Sequence, residues 1–330
     1  MKLKILSQTE VVKAITMAEA IEAVKKAFIQ LSEGQADVPL RTNIPVPEQR
    51  ASVLFMPAYL KESEALGTKI VTVFPRNSEI KVPTIQALIL ILDVKTGRPQ
   101  AVMEGAYLTA LRTGAASGLA TDLLARTEAR VVAIFGAGTQ SRMQLEATWT
   151  VRRINKVLVY DIEPKKTTIF IDEMKARPEF SPLEIRAVQS PANAVQEADI
   201  ICTATTSFQP VFDDQDLKAG VHINGIGSYT PEMQEVPSET VRRAVVFVDS
   251  RQASLAEAGD LIIPLKKRHI SGTHIKGEIG ELASGKIQGR TSDEEVTFFK
   301  SVGVAVQDMA VAKLVFDRSQ ELGLGLEVEI

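Results

Sequence analysis

Val131-Val-Ala-Ile-Phe-Gly136-Ala137-Gly138-Thr139-Gln140-Ser141 is the stretch that decides the fold. An unbroken apolar run, of the kind buried on both faces of a parallel sheet, ends directly on two glycines. Glycine lets the chain turn tightly and brings backbone N–H groups close to a ligand. Helical spacing follows over 140–153, so a helix N-terminus and its dipole stand behind the loop, the usual setting for a pyrophosphate. The next apolar run, 157–160, ends on Asp161, twenty residues beyond Ser141. From such a position a carboxylate reaches the adenosine ribose hydroxyls. A GxGxxG pattern alone is weak, and here its last place is taken by Ser141. The competing interpretation is a plain glycine turn with Asp161 opening a loop; the strand, loop, helix, strand and acid in sequence favour dinucleotide binding. An acid at 161 repels a ribose 2′-phosphate, so NAD(H) is preferred, and the neighbouring Lys165 and Lys166 leave NADP(H) open.

Working outward, further apolar runs at 199–202, 221–226 and 244–248 predict more strands of the same parallel sheet. Two of them end in small residues, Thr203-Ala204-Thr205-Thr206 and Asn224-Gly225-Ile226-Gly227-Ser228, at the carboxyl edge where ligands of such sheets bind. Each alone could equally be an ordinary strand-to-loop turn. Upstream, helical spacing over 9–33 predicts one amphipathic helix stopped by Gly34. Short β-rich segments broken by Pro and Gly over 38–93 predict an antiparallel sheet, and 108–125 a helix. Downstream, a Ser292/Glu295 capping box predicts a helix through Val296, Phe298 and Phe299, with a second over 304–322.

At 330 residues the chain is long enough for about two domains. With 45% hydrophobic and 24% charged residues and a net charge of -3, nothing attracts a polyanion or a membrane surface. A single cysteine, Cys202, and no apolar segment of signal or spanning length point to the cytoplasm. His222, His269 and His274 show no metal spacing, and His222 is expected to be a hydrogen-bonded strand histidine. No Walker loop, GxSxG elbow or Cys-His nucleophile pattern is present.

Six motifs in order, Gly67-Thr-Lys-Ile, Leu108-Thr-Ala-Leu-Arg-Thr-Gly-Ala-Ala-Ser117, the 136–141 loop, Thr203-Ala-Thr, His222-Ile-Asn-Gly-Ile-Gly227 and Ser301-Val-Gly303, resemble the ornithine cyclodeaminase/mu-crystallin family along nearly the whole chain. The resemblance implies an α/β fold in which a Rossmann dinucleotide-binding domain, 119–312, is inserted in an α+β substrate-binding and dimerisation domain, 1–118 completed by 313–330. It implies a homodimer. Carried over by motif, Arg41, Lys69 and Arg112 would hold a substrate carboxylate, and Thr84, Arg112, Thr139, Gln140, Asp161, Thr203, Gly227 and Ser301 would touch the cofactor. Gly136, Ala137, Gly138, Ser141, Thr205, Gly225, Ile226 and Val302 complete that expected surface.

Independently of the family, Lys69 lies in an apolar strand, where an ammonium is costly without a counter-charge. An imino or amino acid carboxylate would supply one; the alternative is a lysine turned to solvent. Arg112 sits among small apolar and hydroxyl residues, and its planar fork suits a carboxylate or phosphate, though it could lie exposed at a domain seam. For Arg41 sequence alone gives a surface loop. Asp249, Glu278 and Glu281 either orient crevice neighbours or are ordinary loop carboxylates.

The cyclodeaminases of the family place an aspartate base just after the glycine-rich strand end, and here the matching position is Tyr229. A tyrosine, with an ordinary pKa of about 10, is a poor base near neutrality. The expected activity is therefore NAD(P)H-dependent reduction of a cyclic imino acid, such as 1-pyrroline-2-carboxylate or 1-piperideine-2-carboxylate, with Lys69 or a water assisting protonation of nitrogen. Alanine dehydrogenase, ornithine cyclodeaminase and a noncatalytic mu-crystallin-like binder stand as alternatives.

Overall fold

In a computed structural model that describes residues 1–77 and 79–330, the chain divides into two units, Met1–Arg112 with Val304–Ile330, and Thr113–Gly303. The sequence placed these divisions after 118 and 312; the structure moves both upstream. Residues 304–312 begin a helix that packs on the first unit's sheet, which is why they belong there.

The first unit opens with β1 (Lys2–Leu6), α1 (Gln8–Ala14) and α2 (Met17–Ser32). The single helix expected over 9–33 is thus two. Thr16 is extended, its side chain accepts from Glu19 N, and the Glu19 carboxylate accepts from Thr16 N, a capping box that restarts the helix. The apolar spacing continues across the break and hides it. Gly34, at φ +69°, ends α2 as expected.

After β2 (Ala36–Asp37) and β3 (Thr42–Val46), the strands β4 (Ala51–Leu60), β5 (Ala65–Val73), β6 (Ile85–Leu92) and β7 (Pro99–Glu104) form an antiparallel meander. Cross-strand register puts Met56, Lys69, Ile89 and Met103 in one row, all buried. The opposite face carries Phe55, Ile70 and Leu88, of which Ile70 is 37% and Leu88 55% exposed.

Helix α3 (Ala106–Leu124) carries the chain into the second unit. There β8 (Val131–Phe135), α4 (Thr139–Val151), β9 (Lys156–Tyr160), α5 (Pro164–Lys175), β10 (Glu184–Ala187), α6 (Pro191–Val195) and β11 (Ile200–Thr203) follow. Then come β12 (His222–Gly225), α7 (Ser238–Arg243), β13 (Val245–Val248), α8 (Arg251–Glu257), α9 (Gly259–Lys266), β14 (Ile275–Glu278), α10 (Ile279–Ala283) and β15 (Thr297–Lys300). The sheet is parallel throughout, in the order β10-β9-β8-β11-β12-β15-β13-β14. Its order reverses at β8, so the topological switch point lies at the carboxyl ends of β8 and β11.

The helix expected through Val296, Phe298 and Phe299 is instead β15, an interior strand. A short segment with no hydrophobic period fits a doubly buried strand or a buried helix equally, and here the sheet wins. Glu295 accepts from Thr291 N, a local turn rather than a helix start. The chain returns to the first unit with α11 (Ala305–Glu321) and β16 (Leu326–Glu329), the latter antiparallel to β1. Among the described residues no helix is long and apolar enough to cross a membrane.

Candidate active site

The glycine loop leaves β8 in a conformation only glycine adopts readily. Gly136 has φ +89°, and a Cβ there would lie 2.7 Å from the Ala204 carbonyl oxygen. The first glycine therefore lets the loop cross the end of β11. At Gly138, the N-cap of α4, a Cβ would meet nothing, so the position stays open to a large group. Arg142 Nη1 donates to the Ala137 and Gly138 carbonyls at 2.9 and 2.7 Å, turning those oxygens inward. Ser141 is buried, and its hydroxyl donates to Gly136 O at 2.7 Å; it closes the loop in place of a third glycine.

Asp161, at the end of β9, accepts from Ala137 N at 2.8 Å through Oδ2. It thus ties the loop while standing at the mouth of a cavity of about 360 Å³ lined by Gly136, Gly138, Asp161, Ile162, Thr205 and Val211, among others. Gln140 Oε1 is buried without a hydrogen-bond partner. A helix N-terminus with no acid in its first turn, an open glycine and a carboxylate at the rim together fit a dinucleotide. Lys166, one of the two lysines that kept a 2′-phosphate open, pairs with Glu163 at 2.6 Å, and that pairing holds its pKa above the usual range.

Beyond β11 and β12, the small-residue segments are fastened by a group that sequence reasoning missed. The Glu235 carboxylate, fully buried, accepts from the hydroxyls of Thr203 and Thr205 and the backbone N–H groups of Thr205, Gly227 and Ser228. Its pKa is pushed up by burial and by the Asp260 charge, with these donors acting against the rise. Gly225 packs on the Phe298 ring, where a Cβ would come within 2.6 Å, and Ile226 is buried beside it. The Ser301 hydroxyl and the N–H groups of Val302 and Gly303 all donate to Asp249 Oδ2 at 2.7–2.8 Å. Asp249 thus shapes that turn, whereas Glu278 and Glu281 form the capping box of α10.

In the first unit, Lys69 on β5 is 1% exposed. Its counter-charge, expected from a substrate, is supplied by the protein: Lys69 Nζ donates to Asp308 Oδ1 at 2.8 Å. Arg112 Nε donates to the same oxygen at 2.9 Å, and Arg112 Nη1 to Gln307 Oε1 at 3.0 Å. Asp308 Oδ2 and Gln307 Nε2 are buried without partners. Burial first, then the charges of Arg112 and Arg41, pull the Lys69 pKa down to about 7 against the opposing pull of Asp308. So Lys69, Arg112 and Arg41 do share one electrostatic neighbourhood. Thr84 also lies in this unit, just before β6, its carbonyl accepting from Phe74 N at 2.8 Å.

Tyr229 is 42% exposed, and partial burial raises its phenol pKa, so the hydroxyl stays protonated at neutrality. His222 bonds Thr297 and Asn224, and burial lowers its pKa to about 3. The Cys202 thiol is pushed up to about 12 by burial and is unreactive. Among the described residues no three His, Cys, Asp or Glu side chains are grouped to hold a metal ion.

The model of the ornithine cyclodeaminase/mu-crystallin family matches residues 1–323. The chain belongs to that family. Within it, Delta(1)-pyrroline-2-carboxylate reductase from Bacillus cereus is 40% identical over 329 residues, 98% of this chain and 99% of that protein. The structure of Thermococcus litoralis Delta(1)-pyrroline-2-carboxylate reductase in complex with NADH and L-proline is 44% identical, with a TM-score of 0.95 over 98% of this chain and 100% of that one. An archaeal alanine dehydrogenase dimer with bound NAD is 34% identical, with a TM-score of 0.93 over the whole of both chains. These members of the family are NAD-dependent enzymes of imino and amino acids.

Proposed function

We propose that the protein is an NAD(H)-dependent reductase of a cyclic imino acid, converting 1-pyrroline-2-carboxylate or 1-piperideine-2-carboxylate to L-proline or L-pipecolate. The observation that carries this is the buried cluster of Lys69 and Arg112 on a single carboxylate, Asp308, with the Arg41 charge close enough to act on Lys69. Lys69 and Arg112 place two buried cations on one carboxylate oxygen, an excess of positive charge that suits a substrate carboxylate. The Thermococcus litoralis relative, which binds NADH with L-proline, supports the substrate class.

Bound reduced nicotinamide supplies a hydride to the imine carbon. In this reading Arg41 and Arg112 hold the carboxylate, and Lys69 gives a proton to the ring nitrogen, making the carbon electrophilic. Lys69 suits the task because its pKa of about 7 lets it release a proton near neutrality. For the cofactor, the 136–141 loop and α4 would bind the pyrophosphate, Asp161 the ribose, and Thr203, Thr205, 225–227 and Ser301-Val302 the far half. Asp161 and Glu163 at the rim disfavour a 2′-phosphate, so NAD(H) is preferred.

The archaeal neighbour favours one second reading, alanine dehydrogenase, which needs the same clamp but also free ammonia. Tyr229, a protonated phenol, supports reduction over ornithine cyclisation, which needs a base at that place. Following NADH absorbance with each cyclic imine, with pyruvate plus ammonia, and with ornithine separates these readings. Turnover of a cyclic imine is expected; proline from ornithine without net NADH change, or turnover only of pyruvate plus ammonia, refutes the assignment.

We further propose a cytoplasmic homodimer. The apolar face bearing Phe55, Ile70 and Leu88 is too exposed for an uncovered sheet, and the same chain is the simplest cover.

A further inference from the structure

Three charged side chains, Glu235, Asp260 and Lys300, are buried to 0% exposure around the ends of β11 and β12. Two carboxylates and one ammonium removed from water are costly unless saturated with partners. Here they form a chain. Lys300 Nζ, from β15, donates to Gly225 O at 3.1 Å and lies 3.4 Å from Asp260 Oδ2. Asp260 Oδ1, from α9, accepts from the backbone N–H groups of Glu235 and Val236 at 2.7 and 3.0 Å. Asp260 therefore fixes the backbone from which the Glu235 side chain reaches back to both strand ends.

We propose that Glu235 is the positioning residue for the nicotinamide half of the cofactor site, an inference that rests on the NAD(H) binding proposed above. In a doubly wound sheet each mononucleotide half is served by the strands on one side of the switch point. β8 and β9, with Asp161, serve the adenosine half, which leaves the ends of β11 and β12 for the other. Glu235 Oε1 takes Thr205 N at 2.6 Å and Thr205 Oγ1 at 2.7 Å. Its Oε2 takes Thr203 Oγ1 at 2.9 Å, Gly227 N at 2.6 Å and Ser228 N at 3.1 Å. One carboxylate thus extends past the strand ends the register that Ile226 N and Gly227 N, both donating to Thr203 O, set between the two loops. The fit is close: a Cβ on Gly227 would lie 2.1 Å from Thr205 O and 2.4 Å from Glu235 Oε1.

A glutamine cannot replace it, because its amide NH2 would face N–H or O–H donors on one side. The test is calorimetric binding of NADH and of ADP-ribose, which keeps adenosine and both phosphates but lacks nicotinamide. In Glu235→Gln, NADH affinity is expected to fall by about tenfold or more while ADP-ribose stays within about twofold, the size expected for misplacing one buried donor set. Thr205→Val removes, at nearly constant shape, one hydroxyl that donates to Glu235 and accepts from Ser207 N, and covers the case in which Glu235→Gln does not fold; NADH should weaken about threefold or more, and by more than ADP-ribose. Equal losses of both ligands, or no loss of either, overturn the proposal. Failure of the unaltered protein to bind either ligand refutes the NAD(H) reading itself.

Discussion

Replacing Asp308 with asparagine removes one charge from the buried cluster at nearly constant volume, leaving Lys69 facing Arg112 and Arg41 alone. Asp308 Oδ1 lies 2.8 Å from Lys69 Nζ, and both groups are buried, so its charge is the chief force keeping Lys69 protonated. An opposite charge this close shifts a pKa by about 1–3 units. Without it, the Lys69 pKa drops from about 7 to roughly 4–6. If Lys69 donates the proton, activity falls as pH rises through its pKa, because the neutral amine has nothing to give. The descending limb of kcat/KM against pH, measured with NADH and 1-pyrroline-2-carboxylate, should therefore move down by about 1–3 units in Asp308→Asn. Near neutrality, where Lys69 is already about half deprotonated in the unaltered protein, that is a loss of about fivefold to five-hundredfold, recoverable at lower pH. The limb for kcat should lie above that for kcat/KM in both proteins, since a bound carboxylate beside Lys69 raises its pKa. The substrate imine titrates identically in each, so only the shift between them reports on Lys69. A limb that keeps its midpoint while the plateau drops refutes the assignment of Lys69 as the acid and of Asp308 as the group that tunes it.

Three further variants carry expected outcomes. Lys69→Met should lose at least about a hundredfold in kcat/KM yet fold, because Asp308 keeps Arg112 on the same oxygen. Since the folded Lys69 pKa lies near 7 and the unfolded one near 10.5, the unfolded chain binds the extra proton in that window. Stability of the unaltered protein should rise relative to Lys69→Met by up to about 1.4 kcal/mol per pH unit there, read by urea melts; a parallel pH dependence in both contradicts the burial of a neutralised lysine. Asp161→Asn should weaken NADH by about threefold or more and narrow the preference over NADPH, and an unchanged ratio of the two affinities would remove Asp161 from ribose recognition. Leu88→Lys, on the exposed face of the meander, should convert a homodimer to monomer in sedimentation; an unaltered dimer places the interface elsewhere.

Much of the second unit was legible because a parallel strand writes itself locally. The run ending at Phe135, the glycines after it and Asp161 lie within one βαβ stretch, and each step constrains the next. The same logic failed at Thr297–Lys300, where four consecutive buried residues, Thr-Phe-Phe-Lys, carry no period to tell strand from helix. It failed again at Thr16, whose capping box sits between apolar positions that stay in helical phase.

The site was legible only in half, and the reason is physical. Lys69 announces itself as a misplaced charge in an apolar strand, so sequence poses the question of what neutralises it. The answer, Asp308, lies 239 residues away on a helix read only as amphipathic, and nothing local distinguishes it from a solvated acid. Glu235 likewise reads as a loop carboxylate until its five donors from two strand ends are seen. Lys69 and Arg112 were found because they stood in the wrong surroundings; the acid that holds both stood in an unremarkable one. Fully buried partners are therefore where the chemistry of this chain is set: Asp308 decides whether Lys69 can hold a proton at neutral pH, and Glu235 decides where the far half of a dinucleotide would rest. Variants at these two carboxylates should alter pH profile and cofactor discrimination separately, since Asp308 belongs to the first unit and Glu235 to the second.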